Sequence, residues 1–450
     1  MTAFDNIKTN NWPATSNEFE DFLVLELPLN DEAARTSSRR DIVAGSKVLY
    51  PKRTLTNSGV TAKRAGVSID DAATITGSAW SANDTFQYAF REGYDTYGDP
   101  QTSQSAAFAS NGGTYKIVFA DGDKYYKNVG RREDSLTYNL QVYHNRYIKK
   151  SLIWAAADLA REKTSDVTLL DLCCGKGGDL FKWEDAKINK VLGIDFSKDN
   201  IYNRENGACV RYMNLQKRRM FNDKMIDVDF LVGDCGKSIK KLEAFFKDAR
   251  SEQHYRDNYL MKDGTPMKFN VVSCQFAIHY FMNSIDSIMQ FIDNVDEHLE
   301  SGGIFIGTCL DGGYVYNKLC ENYKKTGERK YVTRDDKNNE IWSIKANFDC
   351  NSESFFRVDP PTGFDIEIEL PSITGIGESY PESLVNFDFL VHLFKMRGFQ
   401  LVKKTKNNLK GSDLFDNLYR KYIKKEDSLK LSMAEKELSF LYRYFIFKKM

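Results

Sequence analysis

Carboxylates and glycines fall in this 450-residue chain as a small-molecule cradle requires. In Leu169-Leu-Asp-Leu-Cys-Cys-Gly-Lys-Gly-Gly-Asp179, an apolar strand carries Asp171 and passes through Gly175 and Gly177 to Asp179, at the start of a helix. Glycines there let the backbone approach a ligand that any Cβ would hold off. The carboxyl edge of a parallel sheet is where α/β proteins lay a cofactor. Two further acids recur at equivalent places: Asp195 ends the next strand, and Asp234 in Gly233-Asp-Cys-Gly follows the third. Such carboxylates can accept hydrogen bonds from sugar hydroxyls or from the edge of a base. A fourth strand runs into Gln275-Phe-Ala-Ile-His-Tyr280, a set suited to stacking and hydrogen bonding rather than to proton abstraction. The glycine run by itself leaves several cofactors open.

The elements that must position these residues follow from periodicity. From about Tyr143 strands and helices alternate. Apolar residues at helical spacing mark Tyr143–Arg161. Strands are expected at Val167–Cys173, Lys190–Asp195, Val228–Val232, Phe269–Cys274 and Ile304–Cys309, with helices at Ser197–Met213, Lys237–Arg250 and Ser284–Leu299 between them. That alternation means a doubly wound parallel sheet. Residues 324–375 break it with segments such as Ile341-Trp-Ser-Ile and Phe364-Asp-Ile-Glu-Ile-Glu-Leu, expected to form an inserted antiparallel sheet. A helix near Glu382–Met396 and strands Phe399–Lys404 and Leu441–Phe447 close the chain. Residues 1–140 read as an extension with short strand candidates at Phe22–Leu27, Val48–Tyr50 and Tyr115–Phe119, so the division expected is 1–140 and 141–450.

Composition narrows the class. Lys+Arg and Asp+Glu balance at 63 each, so any nucleic-acid contact must come from a local groove. No apolar run approaches the roughly 20 residues that span a bilayer, and no membrane partner is expected. The first residues, Met1-Thr-Ala-Phe-Asp-Asn, lack the regions of a secretory signal. The eight cysteines form no Cys-x-x-Cys and read as reduced thiols of an intracellular protein, with no metal expected.

Two nucleotide readings fail on the loop itself. A dinucleotide fingerprint needs a third glycine where Leu180 stands, and a P-loop needs Ser or Thr after Lys176, where Gly177 stands. The loop instead resembles the acidic-x-Gly-x-Gly-x-Gly run of class I S-adenosylmethionine (SAM) methyltransferases, with Cys173 in place of the first glycine. Beyond it, Gln275-Phe-Ala-Ile-His-Tyr280 resembles the signature of mRNA cap guanine-N7 methyltransferases. Four more stretches resemble that family in order: Asn145-Arg-Tyr-Ile-Lys-Lys-Ser-Leu-Ile153, Leu170–Trp183, Gly302-Gly-Ile-Phe-Ile-Gly-Thr308 and Pro381-Glu-Ser-Leu-Val385. Leu310-Asp-Gly-Gly, where cellular members tend to carry Pro, and the insertion look nearest to the methyltransferase domains of capping enzymes from large DNA viruses.

The resemblance implies a seven-stranded Rossmann-like fold, SAM as cofactor and the capped 5′ end of mRNA as partner, with other capping-enzyme domains or subunits as further partners. It implies that Lys149, Asp171, Gly175, Asp179, Asp195, Asp234, Gln275 and Phe276 surround the cofactor. It likewise implies that Asn145, Phe276, His279, Tyr280, Glu382 and Tyr442 form the cap-guanine pocket. Phe276 would stack on the base, with Tyr442 completing an aromatic sandwich. His279 would meet O6, and Glu382 would accept from N1–H and N2–H. Guanine N7 carries an unshared pair and no proton, so no acid or base is expected among the catalytic groups, only in-line positioning by Tyr280 and His279. Tyr444 lies on the same strand face as Tyr442 and is equally eligible. The guanylyltransferase run Lys-x-Asp-Gly has no match, because Lys262-Asp-Gly264 lacks the spacer. The expected location is cytoplasmic, in a viral factory or virion, for a viral chain and nuclear for a cellular one. The alternatives are methyl transfer to another RNA position or a small molecule, or a non-catalytic capping subunit.

Overall fold

The computed structural model describes residues 105–110, 113–118, 135–218, 225–260, 263–351, 354–357, 360–370, 379–423 and 429–450. The strand candidates at Phe22–Leu27 and Val48–Tyr50 lie outside them. The candidate at Tyr115 falls in an antiparallel hairpin, β1 (Ser105–Ser110) and β2 (Gly113–Val118).

The main sheet is built from β3 (Thr168–Leu172), β4 (Lys190–Asp195), β5 (Asp227–Val232), β6 (Phe269–Gln275) and β7 (Leu299–Leu310), all parallel. Near-continuous burial along each strand is what a parallel sheet covered on both faces demands. A smaller antiparallel sheet follows, made of β8 (Lys330–Arg334), β9 (Glu340–Ala346), β10 (Asp365–Glu369) and β11 (Tyr380–Ser383). β12 (Phe399–Leu401), β13 (Ser412–Leu414) and β14 (Tyr442–Lys449) return to the main sheet. Its order is β12-β14-β7-β6-β3-β4-β5, with β13 added beside β14 and β14 antiparallel to β7. This is the expected doubly wound sheet of seven strands, plus one short strand. A hydrophobic core lies on each face, one around Leu152, Trp183 and Val228, the other around Phe291, Phe305 and Phe394.

Several helices are shorter or differently placed than periodicity alone suggests. The segment Ser197–Met213 is two helices, Lys198–Tyr202 and Ala208–Arg218. The Asn203 carboxamide accepts from Glu205 and Asn206 N–H and turns the chain there. Lys237–Arg250 likewise holds only Leu242–Phe245, and a new helix, Ala249–Tyr259, begins at Asp248, which caps Ser251 N–H. Helices Gly312–Thr326, Phe415–Tyr422 and Met433–Ser439 have no counterpart in the sequence reading. The inserted sheet extends beyond residue 375 to Ser383, so Glu382 lies on a strand, opposite Ile366, and not at a helix start. Pro381 biases its predecessor to extended backbone, and the next helix starts only where Asn386 caps Phe389 N–H.

The helix expected over Tyr143–Arg161 changes character at its beginning. Tyr138–Tyr143 is α-helical, His144–Lys149 is a wider π-turn, and Lys150–Ala160 is α-helical again. Such widened turns re-aim side chains and recur at functional sites.

Candidate active site

The carboxyl edge of β3 carries the first half of the site. Asp171 is buried, and its Oδ1 has no hydrogen-bond partner. Burial, then the neighbouring Asp179 charge, raises its pKa despite a hydrogen bond from Ser273. Cys173, Gly175 and Gly177 all have φ between 56° and 68°. Cys173 thus adopts a left-handed backbone at a cost of roughly 1–2 kcal/mol for a residue with a Cβ, so small size alone does not explain it there. Asp179, at the N-cap position of helix Leu180–Asp185, forms ion pairs with Lys149 at 2.7 Å and Lys182 at 2.8 Å. Burial opposes the Asp179 charge, but the two ammonium groups prevail and hold its carboxyl at about 2. One carboxylate between two lysines leaves a net positive charge beside Asp171, which suits a ligand bearing both a carboxylate and an ammonium group.

Asp195 terminates β4 and ties the loop to the sheet. Its Oδ2 accepts from Gly175 N–H at 2.7 Å, and its Oδ1 accepts from Ser197 N–H at 3.0 Å and Asn200 Nδ2 at 2.9 Å. Phe196, which the sequence reading passed over, is 41% exposed immediately beyond it. Asp234 sits past β5, accepts from Gly236 N–H at 3.0 Å and lies 3.6 Å from Lys237 Nζ. Gln275 is folded back between strands: its Nε2 donates to Ser273 Oγ at 3.3 Å and its Oε1 accepts from Thr308 Oγ1 at 3.2 Å. It fixes the end of β6 in this structure.

The second half begins at Phe276, also in the left-handed region with φ 57°. Thr308 holds it there, accepting Phe276 N–H at its carbonyl (3.1 Å) and its Oγ1 (3.0 Å). Strain of this kind persists where surroundings over-determine the backbone. The expected sandwich of Phe276 and Tyr442 is not formed: their rings meet edge to face, 5.3 Å apart at 75°, and leave no slot for a base. The parallel partner of Phe276 is His144, 5.3 Å away at 15°. His144 also meets Phe415 and Tyr442 edge-on, and its Nε2 shares a 2.9 Å hydrogen bond with Ser439 Oγ. Burial, then Lys149, lowers its pKa to about 3, so the ring stacks as a neutral group. Nothing in the motif spacing singled out His144, because it acts through contacts with residues more than a hundred positions away. The π-turn thus serves both halves, with His144 against Phe276 at one end and Lys149 on Asp179 at the other. Asn145, between them, bonds back to Gln141 O at 2.9 Å and is half-buried.

His279 and Glu382 meet opposite this aromatic group. His279 lies on a short 3₁₀ turn after β6, and its Nδ1 is 3.5 Å from Glu382 Oε2. Both are buried, and His279 Nε2 has no partner. Burial lowers His279 to about 3 and raises Glu382 to about 8, since a neutral imidazole brings no charge to steady the carboxylate. Tyr280 packs edge-on against His279 and remains 43% exposed at the rim. Of the two candidate tyrosines on β14, Tyr442 faces the site, whereas Tyr444 is buried in the core.

Among the described residues no group of three or more His, Cys, Asp or Glu is arranged to hold a metal ion, and no helix is long and apolar enough to cross a membrane.

Known proteins resemble this chain in sequence. A Drosophila melanogaster mRNA cap guanine-N(7) methyltransferase is 27% identical over 305 residues, covering 66% of this chain and 62% of that protein. A Debaryomyces hansenii protein of the same name is 28% identical over 310 residues, covering 66% and 53%. A probable mRNA-capping enzyme of Acanthamoeba polyphaga mimivirus is 28% identical over 261 residues, covering 57% of this chain and 21% of its own length. The match therefore spans less than two thirds of each of these relatives. The model of the mRNA (guanine-N(7))-methyltransferase domain matches residues 110–450, most of the chain, and the chain belongs to that family.

Proposed function

We propose that this chain transfers the methyl group of SAM to N7 of the guanine cap (GpppN) of mRNA. The observation that carries the reading is the buried Glu382–His279 pair. A carboxylate beside a histidine whose other nitrogen, Nε2, has no partner matches the N1–H, N2–H and O6 edge of guanine. Adenine would set its amino group against His279 and leave Glu382 without donors, a mismatch that buried polar groups penalise strongly. Phe276, held by Thr308 and backed by His144, supplies the apolar wall for the base.

The residues on the β3–β5 edge fit SAM. The unpartnered Asp171 oxygen suits the methionine ammonium, Lys149 and Lys182 suit its carboxylate, and Asp195 suits the ribose. Asp234 and Phe196 lie on the side of the adenine. SAM bound there supplies an electrophilic methyl group on a sulfonium. The protein has to hold N7 in line with it, and the rigid Phe276 backbone and the Glu382 contacts fix the base for that purpose. No side chain need take a proton, because N7 has none.

Residues 1–140 fit a linker or docking arm to other capping domains or subunits, and the location that goes with this reading is the cytoplasm, in a viral factory or virion, for a viral chain and the nucleus for a cellular one. The test is methyl transfer to GpppA or GpppG, with nuclease digestion of the product. Labelled 7-methylguanosine is expected; label in another position or none would overturn the reading.

A further inference from the structure

The register of the main sheet lines up four polar side chains between the two halves of the site. Asp171 of β3 lies beside Ser273 of β6, and Gln275 of β6 lies beside Thr308 of β7. Ser273 and Gln275 are two residues apart and so share one face of their strand. All four are buried, Ser273 and Thr308 completely. They connect end to end. Phe276 N–H donates to Thr308 Oγ1 at 3.0 Å, and the Thr308 hydroxyl donates to Gln275 Oε1 at 3.2 Å. Gln275 Nε2 donates to Ser273 Oγ at 3.3 Å, and the Ser273 hydroxyl donates to the Asp171 carboxyl. Each hydroxyl in this chain gives its one proton and accepts another, so every bond points the same way, from Phe276 to Asp171.

Stability alone does not call for such a chain, since apolar groups of the same shape would hold the strands about as well. What the chain does is join two places that have to be fixed. At one end is the Asp171 Oδ1 without a partner, the oxygen suited to the methionine ammonium. At the other, Phe276 keeps a left-handed backbone, φ 57°, which a residue with a Cβ holds only where its surroundings impose it. An ammonium on Asp171 commits the Ser273 proton to the carboxylate. The order of donors then sets the Gln275 amide and the Thr308 hydroxyl in turn, and leaves a Thr308 Oγ1 lone pair for Phe276 N–H. A base that meets a wall already fixed loses less freedom on binding.

We propose that Ser273, Gln275 and Thr308 are positioning residues that couple the two ligand sites, so that cofactor on Asp171 aims Phe276 for the cap guanine. The proposal rests on the cap-methyltransferase reading. Binding of GpppA to the full chain would be measured by calorimetry with and without S-adenosylhomocysteine, which keeps the ammonium and lacks the methyl group. In the wild type S-adenosylhomocysteine is expected to lower the Kd for GpppA roughly fivefold or more, and GpppA must tighten S-adenosylhomocysteine by the same factor. Thr308→Val keeps the side-chain shape and the carbonyl that also accepts Phe276 N–H, but breaks the chain. Its two Kd values for GpppA are expected to be equal, with S-adenosylhomocysteine alone bound as in the wild type. Thr308→Ser should restore the coupling. Ser273→Ala breaks the chain at its far end and should abolish the coupling likewise, which lost packing at Thr308 would not explain. A wild type without coupling would overturn the proposal. So would coupling that survives in either Thr308→Val or Ser273→Ala, since the ligands would then sense each other by direct contact. A Thr308→Ser variant as uncoupled as Thr308→Val would overturn it too, because the hydroxyl would not be what Thr308 supplies. Failure of the cap reading looks different: the wild type would bind S-adenosylhomocysteine but not GpppA, and the proposal would fall with it.

Discussion

On the proposed function, Glu382 makes cap binding depend on pH in a direction fixed by its surroundings. Burial raises its carboxyl to about 8. Guanine offers two N–H donors, which only the ionised carboxylate can accept together. At about pH 7 roughly a tenth of the free protein carries that carboxylate, and at about pH 6 roughly a hundredth. The KM for GpppA should therefore fall roughly tenfold per unit as pH rises toward 8 and level off above it. Burial keeps His279 neutral above about 3 and pushes Tyr442 well above its ordinary value, so neither of these titrates in this window. Measured at saturating SAM, the profile isolates the cap site from Asp171, whose pKa is also raised. Glu382→Gln should leave a high KM without that pH dependence, and Glu382→Ala should abolish methylation while SAM still binds. A wild-type KM that is flat across the range, or that rises with pH, would refute the reasoning. So would loss of SAM binding in Glu382→Ala.

Three further outcomes are expected. His144→Ala removes the ring stacked on Phe276 and should raise the KM for GpppA roughly two- to tenfold, with SAM affinity unchanged by calorimetry and His144→Phe restoring the KM. Asp195→Ala frees Gly175 N–H and removes the proposed ribose acceptor, so the Kd for SAM should rise at least roughly tenfold, while the dependence of rate on GpppA at saturating SAM is preserved. Glu435 completes a capping box with Ser432, and its Oε1 accepts from the buried Leu140 N–H at 2.9 Å. Glu435→Ala should therefore lower stability by roughly 1–3 kcal/mol, read as a drop in Tm with the ligand sites intact.

The parts of the site that were legible in the sequence are local. Asp171, Gly175, Asp179, Asp195 and Asp234 sit at strand ends because a period of apolar runs and helices sets where each strand stops. Phe276 and His279 follow the fourth strand at a fixed short spacing. Glu382 and Tyr442 could be named only through family resemblance, since nothing in their immediate neighbours points to a base. Glu382 lies on a strand of the inserted sheet, and its proximity to His279 depends on how that sheet docks. The short helices were illegible for a related reason: Asn203 and Asp248 divide long amphipathic stretches by side-chain bonds that periodicity does not register.

The sequence by itself determined the doubly wound order, the acidic strand ends and the glycine loop, because each is encoded within a few consecutive residues. Tertiary structure decided the rest. It set Phe276 against His144 instead of Tyr442, chose Tyr442 over Tyr444, and joined the two halves of the site through the π-turn. Those outcomes depend on packing and burial between residues far apart in the chain, and desolvation at such contacts, not residue type, sets the charge that Glu382 and His279 carry.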